Sequence, residues 1–291
     1  MKLVEFYTQK FGMKFLGDLQ TAAGDKYFYL GFADGPGVLW HPNKTYLELR
    51  CGNSTENPAP LRSSRNETYW KIGITTPDVN EAASRLRKAG ERVGEGSQFL
   101  DIGFLTHLSD PEEFGIELLQ HDFERNFVRG TPSSDLPLGF PATFGQITLR
   151  ISDADASLAF YRDTLGMKLL SRQSVSQYGF VLYFLAWTEE EAPNPDVNAL
   201  ENREWLWKRP YTTLELQHIA KHPGYRAPAP NEAGFLGLRA HSPNIRNLKA
   251  HLTSEGVTVV ASSNDDDPIG LPSFEIRDPD GVPIFFNQIA L

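Results

Sequence analysis

The sequence is poor in cysteine and has no long apolar run. Cys51 is its one cysteine in 291 residues, so the chain cannot form an internal disulfide, and a reducing compartment fits best. We expect this thiol to be a small core residue. A membrane-spanning helix needs ~20 consecutive apolar residues, which no segment approaches. These absences predict a cytoplasmic protein without a membrane partner.

Positive charge is also scarce. The chain carries 28 Lys and Arg residues against 37 Asp and Glu residues, which gives a formal net charge of −9 and a pI near 5.3. Clustered Lys and Arg side chains supply the phosphate contacts of nucleic-acid-binding proteins, so this balance argues against nucleic acid as a partner. Apolar residues make up 40% and charged residues 22%, as expected for a chain that folds around a core.

The chain contains an internal repeat. Residues 6–16 (FYTQKFGMKFL) recur as residues 160–170 (FYRDTLGMKLL). Each copy is predicted to be an amphipathic helix that ends at Gly12 or Gly166, because a left-handed C-terminal cap favours glycine. Aromatic and β-branched runs downstream of each copy predict strands. These runs are residues 27–32, 45–51, 180–187 and 211–217.

A second, weaker repeat relates residues 71–117 to residues 237–285. Each copy is predicted to run from a strand into a helix whose apolar residues follow the three-and-four spacing of one face. Each then closes with an Asp-Pro turn, at Asp110 or Asp278, and a final strand. The combination of single helices with several strands predicts an α+β protein.

Two further segments lie between or within the repeated units. A Gly-, Pro- and Ser-rich connection at residues 129–141 separates the two helix-led halves and is predicted to be a linker. An acidic, proline-containing insertion at residues 188–203 is predicted to form a loop or lid.

These motifs resemble glyoxalase I, a member of the vicinal oxygen chelate (VOC) superfamily. Residues 145–170 (GQITLRISDADASLAFYRDTLGMKLL) with residues 212–218 (TTLELQH) are similar to the N-terminal module of that enzyme. Residues 70–79 (WKIGITTPDV) with residues 115–119 (GIELL) are similar to its C-terminal module.

The resemblance implies a tandem of four βαβββ modules paired into two curved-sheet barrels, the first module lacking its leading strand. It divides the chain into a half at residues 1–121, a linker at 122–142 and a second half at 143–291. The inner two modules would pair around one pocket and the outer two around another.

In the family a divalent metal is held by one side chain from the first strand and one from the last strand of each paired module. The matching inner positions are Gln146, Glu215 and Glu117, with Lys71 where the family has histidine. Oxygen and nitrogen ligands of this kind suit Zn²⁺ or Ni²⁺. An isolated glutamate in a strand can equally be a surface carboxylate, because a one-residue register slip flips its face.

Lys71 leaves two hypotheses open, because a protonated lysine has no lone pair for a metal. In the first, Gln146, Glu215 and Glu117 hold the ion with water. Glu117, which matches the family's base, then abstracts a proton next to a metal-polarised carbonyl. The protein would be a lyase or isomerase. In the second, the Lys71 ammonium replaces the ion as a salt-bridge partner, and the pocket binds a small molecule without turnover.

Arg150 matches a substrate-binding residue of the family, whereas the other glutathione contacts are not matched. The outer pocket keeps Glu48 alone of its metal positions, since Gly237 and Phe285 replace two others. We expect a small-molecule ligand and a monomer or homodimer.

The histidines give no metal-ligand set by their spacing. His218 has the wrong strand parity relative to Glu215, and His121 lies past the predicted strand end. The sequence does not decide which face of its strand carries His107. None of the three histidines is therefore assigned as a ligand.

Overall fold

The structure is a computed structural model that describes residues 2–21, 24–32, 45–52, 64–229, 233–263 and 272–288. Its helices are α1 (Lys2–Glu5), α2 (Val79–Lys88), α3 (Ala154–Leu158), α4 (Glu201–Trp207) and α5 (Ile245–Ser254). Its strands are β1 (Lys14–Gln20), β2 (Lys26–Gly31), β3 (Leu47–Cys51), β4 (Tyr69–Thr76), β5 (Ser97–Phe99), β6 (Gly103–Ser109), β7 (Gly115–Gln120), β8 (Thr143–Ile151), β9 (Lys168–Val175), β10 (Phe180–Ala186), β11 (Thr213–Ile219), β12 (Leu238–Ser242), β13 (Ala261–Ser263), β14 (Ser273–Arg277) and β15 (Pro283–Gln288).

An eight-stranded mixed sheet dominates the fold. Its strand order is β5-β6-β7-β4-β8-β11-β10-β9. The pairs β4–β7 and β8–β11 are parallel, whereas β4 and β8 meet antiparallel at the centre. The sheet curls into a half-barrel, so the predicted α+β class and the curved sheet that the resemblance implies are confirmed.

Two smaller sheets accompany it. One is the antiparallel sheet β1-β2-β3, and the other has the order β12-β15-β14-β13, in which β12 and β15 are parallel. In chain order, α1 and α2 are each followed by four strands, α3 by two strands before α4, and α5 by three strands.

Short polar side chains begin the packed helices. Asp78 and Asn244 precede α2 and α5, and each accepts a hydrogen bond from the backbone N–H three residues on. Such caps satisfy one of the amides that the first helical turn leaves unpaired. The predicted apolar face of α2 is buried, because Val79, Ala82, Ala83 and Leu86 all face the core.

The first repeat has the same local structure in both copies. Both α1 and α3 continue as a π-helical turn, Phe6–Lys10 and Ala159–Thr164. Gly12 and Gly166 follow with φ of +77° and +70°, the left-handed conformation that a residue without Cβ adopts at low cost. The predicted glycine ends of these helices are therefore confirmed.

Buried Tyr–Asp hydrogen bonds connect the first repeat to the second. Tyr7 donates to Asp110 Oδ2 at 2.9 Å, and Tyr161 donates to Asp278 Oδ2 at 2.8 Å. Each tyrosine follows α1 or α3, and each aspartate opens one of the Asp-Pro turns. The two repeats are thus in contact, with the same residue pair in both halves of the sequence.

One local expectation was wrong, because Cys51 is exposed at the end of β3 and is not a core residue. The insertion predicted as a loop has no helix or strand at residues 188–200, and its last three residues begin α4, in which Asn202, Arg203, Leu206 and Trp207 are buried. None of the helices in the described part of the chain has the length and apolar character that crossing a bilayer requires.

Burial of Asp278 makes stability depend on pH. Burial raises the pKa of Asp278 to about 6, from about 3.9 in an unfolded chain. The native state therefore holds a proton that the unfolded state releases, and this group lowers the free energy of unfolding as pH rises from about 4 to about 6. Asp278→Asn cannot ionise. As pH rises from 4.5 to 7, the free energy of unfolding of this variant is therefore expected to increase, relative to that of the unmodified protein, by on the order of 2 kcal/mol.

Urea unfolding at the two pH values measures this difference. Asp155→Asn, which removes an exposed carboxyl group on α3, is the control and should show little change with pH. A pH dependence equal in the two variants would contradict the assignment to burial.

Candidate functional site

Four polar side chains from neighbouring central strands meet inside the half-barrel. Lys71 lies on β4, Glu117 on β7, Gln146 on β8 and Glu215 on β11. The register places Gly73 of β4 beside both Glu117 and Gln146, and Thr148 beside both Lys71 and Glu215. Because alternate residues of a strand share a face, these side chains all point into one space.

The four side chains form one hydrogen-bonded cluster. Lys71 Nζ lies 2.8 Å from Glu117 Oε1 and 3.2 Å from Glu215 Oε2. Gln146 Nε2 donates to the same two oxygens, at 2.7 Å and 2.9 Å. The Thr148 hydroxyl also donates to Glu215 Oε2. Lys71, Glu117, Gln146 and Glu215 are all at most 5% exposed, so the cluster is shielded from water.

The charges of the cluster depend on one another. Burial alone would lower the pKa of Lys71, but attraction to Glu117 and Glu215 raises it above its ordinary value. Burial would likewise raise the pKa of Glu117, yet the Lys71 charge and a hydrogen bond from His107 bring it down to about 2. Burial raises the pKa of Glu215, which is the farther of the two carboxylates from the ammonium. The Lys71 charge therefore stabilises the ionised form of Glu117 more strongly than that of Glu215.

A glycine makes room for the cluster. A Cβ at Gly73 would lie 2.2 Å from Gln146 Cγ, far inside van der Waals contact. The missing side chain thus lets the Gln146 amide lie across β4 and reach both carboxylates. Gly73 occurs in the WKIGITT motif, but the sequence does not reveal this packing reason.

The cluster forms one end of a cavity of about 330 Å³. The rest of its lining is apolar and largely aromatic: Trp70, Phe99, Ile102, Leu105, Leu119, Tyr178, Phe180, Leu182, Phe184 and Trp207, with His107 beside Glu117. Pockets that bind small molecules have this size and this mixture of apolar walls with a few convergent polar groups.

His107 is a site residue that the sequence reasoning left unassigned. It pairs with Glu117 across the β6–β7 ladder, and its Nε2 lies 2.9 Å from Glu117 Oε2. About half of its side chain is exposed, so it connects the buried carboxylate to solvent. The alternation within FLTHL is compatible with this position, but only the pairing of β6 with β7 decides it. His121 and His218 do not line the cavity.

Arg150 lies outside the cavity lining. Its Nη1 donates to the backbone carbonyl oxygens of Ser64, Glu67 and Tyr69 at 3.1 to 3.2 Å. Its guanidinium also lies 5.1 Å from the centroid of the Trp70 ring, which does line the cavity. Burial lowers the pKa of Arg150 to about 10. These contacts hold the segment leading into β4, and a substrate-binding role for Arg150 stays a prediction.

The residues present do not fit a resident divalent ion. Lys71 Nζ occupies the position between the two carboxylates that a shared ion would take, and an ammonium offers no lone pair to a metal. The Gln146 amide turns its donor to both carboxylates, while its Oε1 has no partner in the described part of the chain. The described residues include no group of three or more His, Cys, Asp or Glu side chains placed to hold an ion.

A side-chain cation also lies at the positions that the sequence matches to the outer metal site of the family. Glu48 of β3 pairs with Arg239 of β12, at 3.1 Å between Oε2 and Nε. Arg239 also donates to Asn287 at 2.7 Å and lies 5.3 Å from the Phe285 ring centroid. The sheets of β1–β3 and β12–β15 are thus joined by an ion pair at the residues matched to the family's outer site.

Comparison with known proteins identifies relatives of the chain. Residues 143–286 match the model of the Glyoxalase/Bleomycin resistance protein/Dioxygenase superfamily. Glyoxalase I of Saccharomyces cerevisiae is 30% identical over 206 residues, which cover 64% of this chain and 59% of the relative. A lactoylglutathione lyase of Arabidopsis thaliana is 27% identical over 193 residues, covering 65% of this chain and 58% of the relative. The chain therefore spans about three fifths of the length of these curated relatives.

The fold has a similar relative among solved structures. Glyoxalase I from Zea mays aligns with a TM-score of 0.71 at 19% identity, covering 99% of this chain and 87% of that one. At this identity the likeness shows the fold alone.

Removing the buried ammonium tests the energetics of the cluster. Lys71→Met leaves two carboxylates buried without a cation and is expected to cost about 3–5 kcal/mol in the free energy of unfolding. Adding Glu117→Gln and Glu215→Gln to the same chain removes the uncompensated charge and should recover most of that loss. Denaturant unfolding at pH 7 measures both variants.

Lys168→Met is the matched control, because Lys168 forms an exposed ion pair with Glu191. Its loss should cost no more than about 1 kcal/mol. If the buried and the exposed lysine cost the same, or if the triple variant is as unstable as Lys71→Met, the cluster is not held by charge pairing.

Proposed function

Because the chain is a glyoxalase I-like protein of the VOC superfamily, we propose that its inner cavity binds a small molecule and that Lys71 replaces the metal ion there. The observation that carries this proposal is the position of Lys71 Nζ, within 3.2 Å of carboxylate oxygens of both Glu117 and Glu215. The ammonium supplies the positive charge that these buried groups require. The pocket then keeps its shape without an ion.

Binding without turnover follows from the state of Glu117. The lyase mechanism needs a carboxylate that takes a proton from carbon and a Lewis acid that stabilises the resulting negative charge. Here Lys71 and Gln146 contact Glu117 Oε1, and His107 contacts Oε2. Lys71 and His107 hold the pKa of Glu117 at about 2, which makes it a weak base at neutral pH.

The metal-dependent lyase or isomerase is the competing function. It keeps Gln146, Glu215 and Glu117 as ligands of Zn²⁺ or Ni²⁺ and requires Lys71 to move away from both carboxylates. The names of the relatives favour it, since one is a glyoxalase I and another is a lactoylglutathione lyase. The geometry favours binding, because the lysine that would have to leave is buried and paired twice.

We also propose that the protein is a tandem of four βαβββ modules, in halves at residues 1–121 and 143–291 with a linker at 122–142. The matched Tyr7–Asp110 and Tyr161–Asp278 pairs support this arrangement. So does the order of the eight-stranded sheet, in which β4–β7 adjoin β8–β11. Whether the protein acts as a monomer or a homodimer stays a prediction.

Metal retention and turnover separate the two functions. After incubation with ZnCl₂ or NiCl₂ and desalting, the unmodified protein is expected to retain well below about one equivalent of metal by elemental analysis. It should not convert the hemithioacetal of methylglyoxal and glutathione. Lys71→His restores the residue type of the family and should retain about one equivalent.

Lys71→Gln is the control, since it removes the ammonium without adding an imidazole ligand. Stoichiometric metal in the unmodified protein, together with turnover that Glu117→Gln abolishes, would establish the lyase and refute the proposal.

A further inference from the structure

Three aromatic rings form a stack at the mouth of the cavity. The ring centroids of Phe99 and Tyr178 are 5.6 Å apart with planes inclined by 29°, and those of Tyr178 and Phe180 are 6.4 Å apart at 23°. They come from β5, the 3₁₀ turn Ser176–Tyr178 and β10. Tyr178 is 59% exposed although its neighbours line the cavity. Near-parallel rings of this kind present flat apolar faces to a ligand.

Aromatic side chains continue the wall inward. Phe184 and Trp207 meet edge to face at 5.2 Å, and the Trp207 Nε1–H donates to the Ile102 carbonyl oxygen at 3.1 Å. The indole donor is thus used within the protein, so Trp207 offers the cavity an apolar surface. The space between the mouth and the polar end is therefore bounded mainly by rings.

The polar end offers the Gln146 carbonyl oxygen as a hydrogen-bond acceptor, because both N–H groups of that amide donate within the cluster. The Gln146 amide donates to both Glu117 and Glu215, and the Lys71 ammonium contacts the same two carboxylates. Gln146 Oε1 is buried and has no hydrogen-bond partner in the part of the chain that the structure describes. The amide cannot be turned over without aiming its oxygen at two carboxylates, so the acceptor assignment follows from the cluster.

The charge of this end disfavours anions. Two carboxylates face one ammonium, and Lys71 is at contact distance from both. A ligand carboxylate would meet Glu117 and Glu215 in a buried setting where like charges repel strongly. Its own desolvation would add to that cost.

We propose that the cavity binds a neutral, planar aromatic molecule of one or two fused rings that carries a hydrogen-bond donor, such as a ring N–H or a phenolic hydroxyl. The rings lie along the aromatic wall and the donor faces the acceptors of Gln146 and Glu117. This inference rests on the proposed metal-free binding function and names its ligand class. Glutathione conjugates, which carry carboxylates, are outside that class.

Isothermal titration calorimetry with three probes tests the ligand class. Indole carries a ring N–H, benzofuran has nearly the same shape with an oxygen instead, and indole-3-carboxylate adds a negative charge. A site that hydrogen-bonds a donor discriminates against an analogue that lacks it. Indole is expected to bind at least about tenfold more tightly than either of the other probes.

Variants locate the binding. Tyr178→Ala removes the central ring of the stack and should weaken indole and benzofuran alike, by about two- to tenfold. Tyr178→Phe keeps the ring and should leave both affinities unchanged. Trp187→Ala, which removes a ring that is also about half exposed but does not line the cavity, should have no effect on either probe.

Each outcome bears on a different statement. Equal affinities for indole and benzofuran, or tighter binding of the carboxylate, overturn the donor preference. Loss of binding in Trp187→Ala but not in Tyr178→Ala overturns the location. Failure of every aromatic probe to bind overturns the ligand class, whereas stoichiometric metal with turnover overturns the proposed function regardless of the probes.

Discussion

The architecture of the site depends on one buried interaction, the contact of the Lys71 ammonium with Glu117 and Glu215. The three side chains come from β4, β7 and β11, which are distributed over the centre of the eight-stranded sheet. Two buried carboxylates without a cation would strongly destabilise the folded protein, because the interior has a low dielectric constant. The lysine thus makes an acidic pair tolerable inside the half-barrel, and in doing so it uses the position on which metal chemistry in the family relies.

At the positions matched to the outer metal site, a strand glutamate is also paired with a basic side chain, but that side chain stands at a different position. Arg239 pairs with Glu48 and contacts Asn287, although no metal-position residue there is itself basic. In the inner set the cation stands at the histidine position, whereas in the outer set it stands two residues beyond Gly237 on β12. Both arrangements neutralise a strand glutamate with a protein side chain, which favours a preformed structure over one that awaits an ion.

The repeats predict much of the fold, and the resemblance to glyoxalase I identifies the four residues of the cluster. Gly12, Gly166 and the apolar face of α2 follow from local rules of helix ends and spacing. The contact of His107 with Glu117 depends on which strands are neighbours and in what register, and so does the position of the Gln146 amide over Gly73. Such pairings are set by tertiary contacts. Arg150 fails to line the cavity because nearby backbone carbonyls capture its guanidinium, a competition that no motif displays. The burial of α4 likewise arises from packing rather than from its polar sequence.

The antiparallel pairing of β4 with β8, called the seam here, determines what would happen if the chain were cut between these two strands. The seam joins strands that lie on opposite sides of residues 129–141, so the boundary visible in the sequence runs through the middle of one continuous sheet. Separating the chain there would expose the edge strand β4 or β8 on each fragment, with unpaired backbone amides and carbonyls. Such fragments would satisfy those edges by pairing with another copy. Because β4 and β8 belong to one polypeptide, the two sides of the seam meet within the molecule and do not depend on an encounter between separate chains.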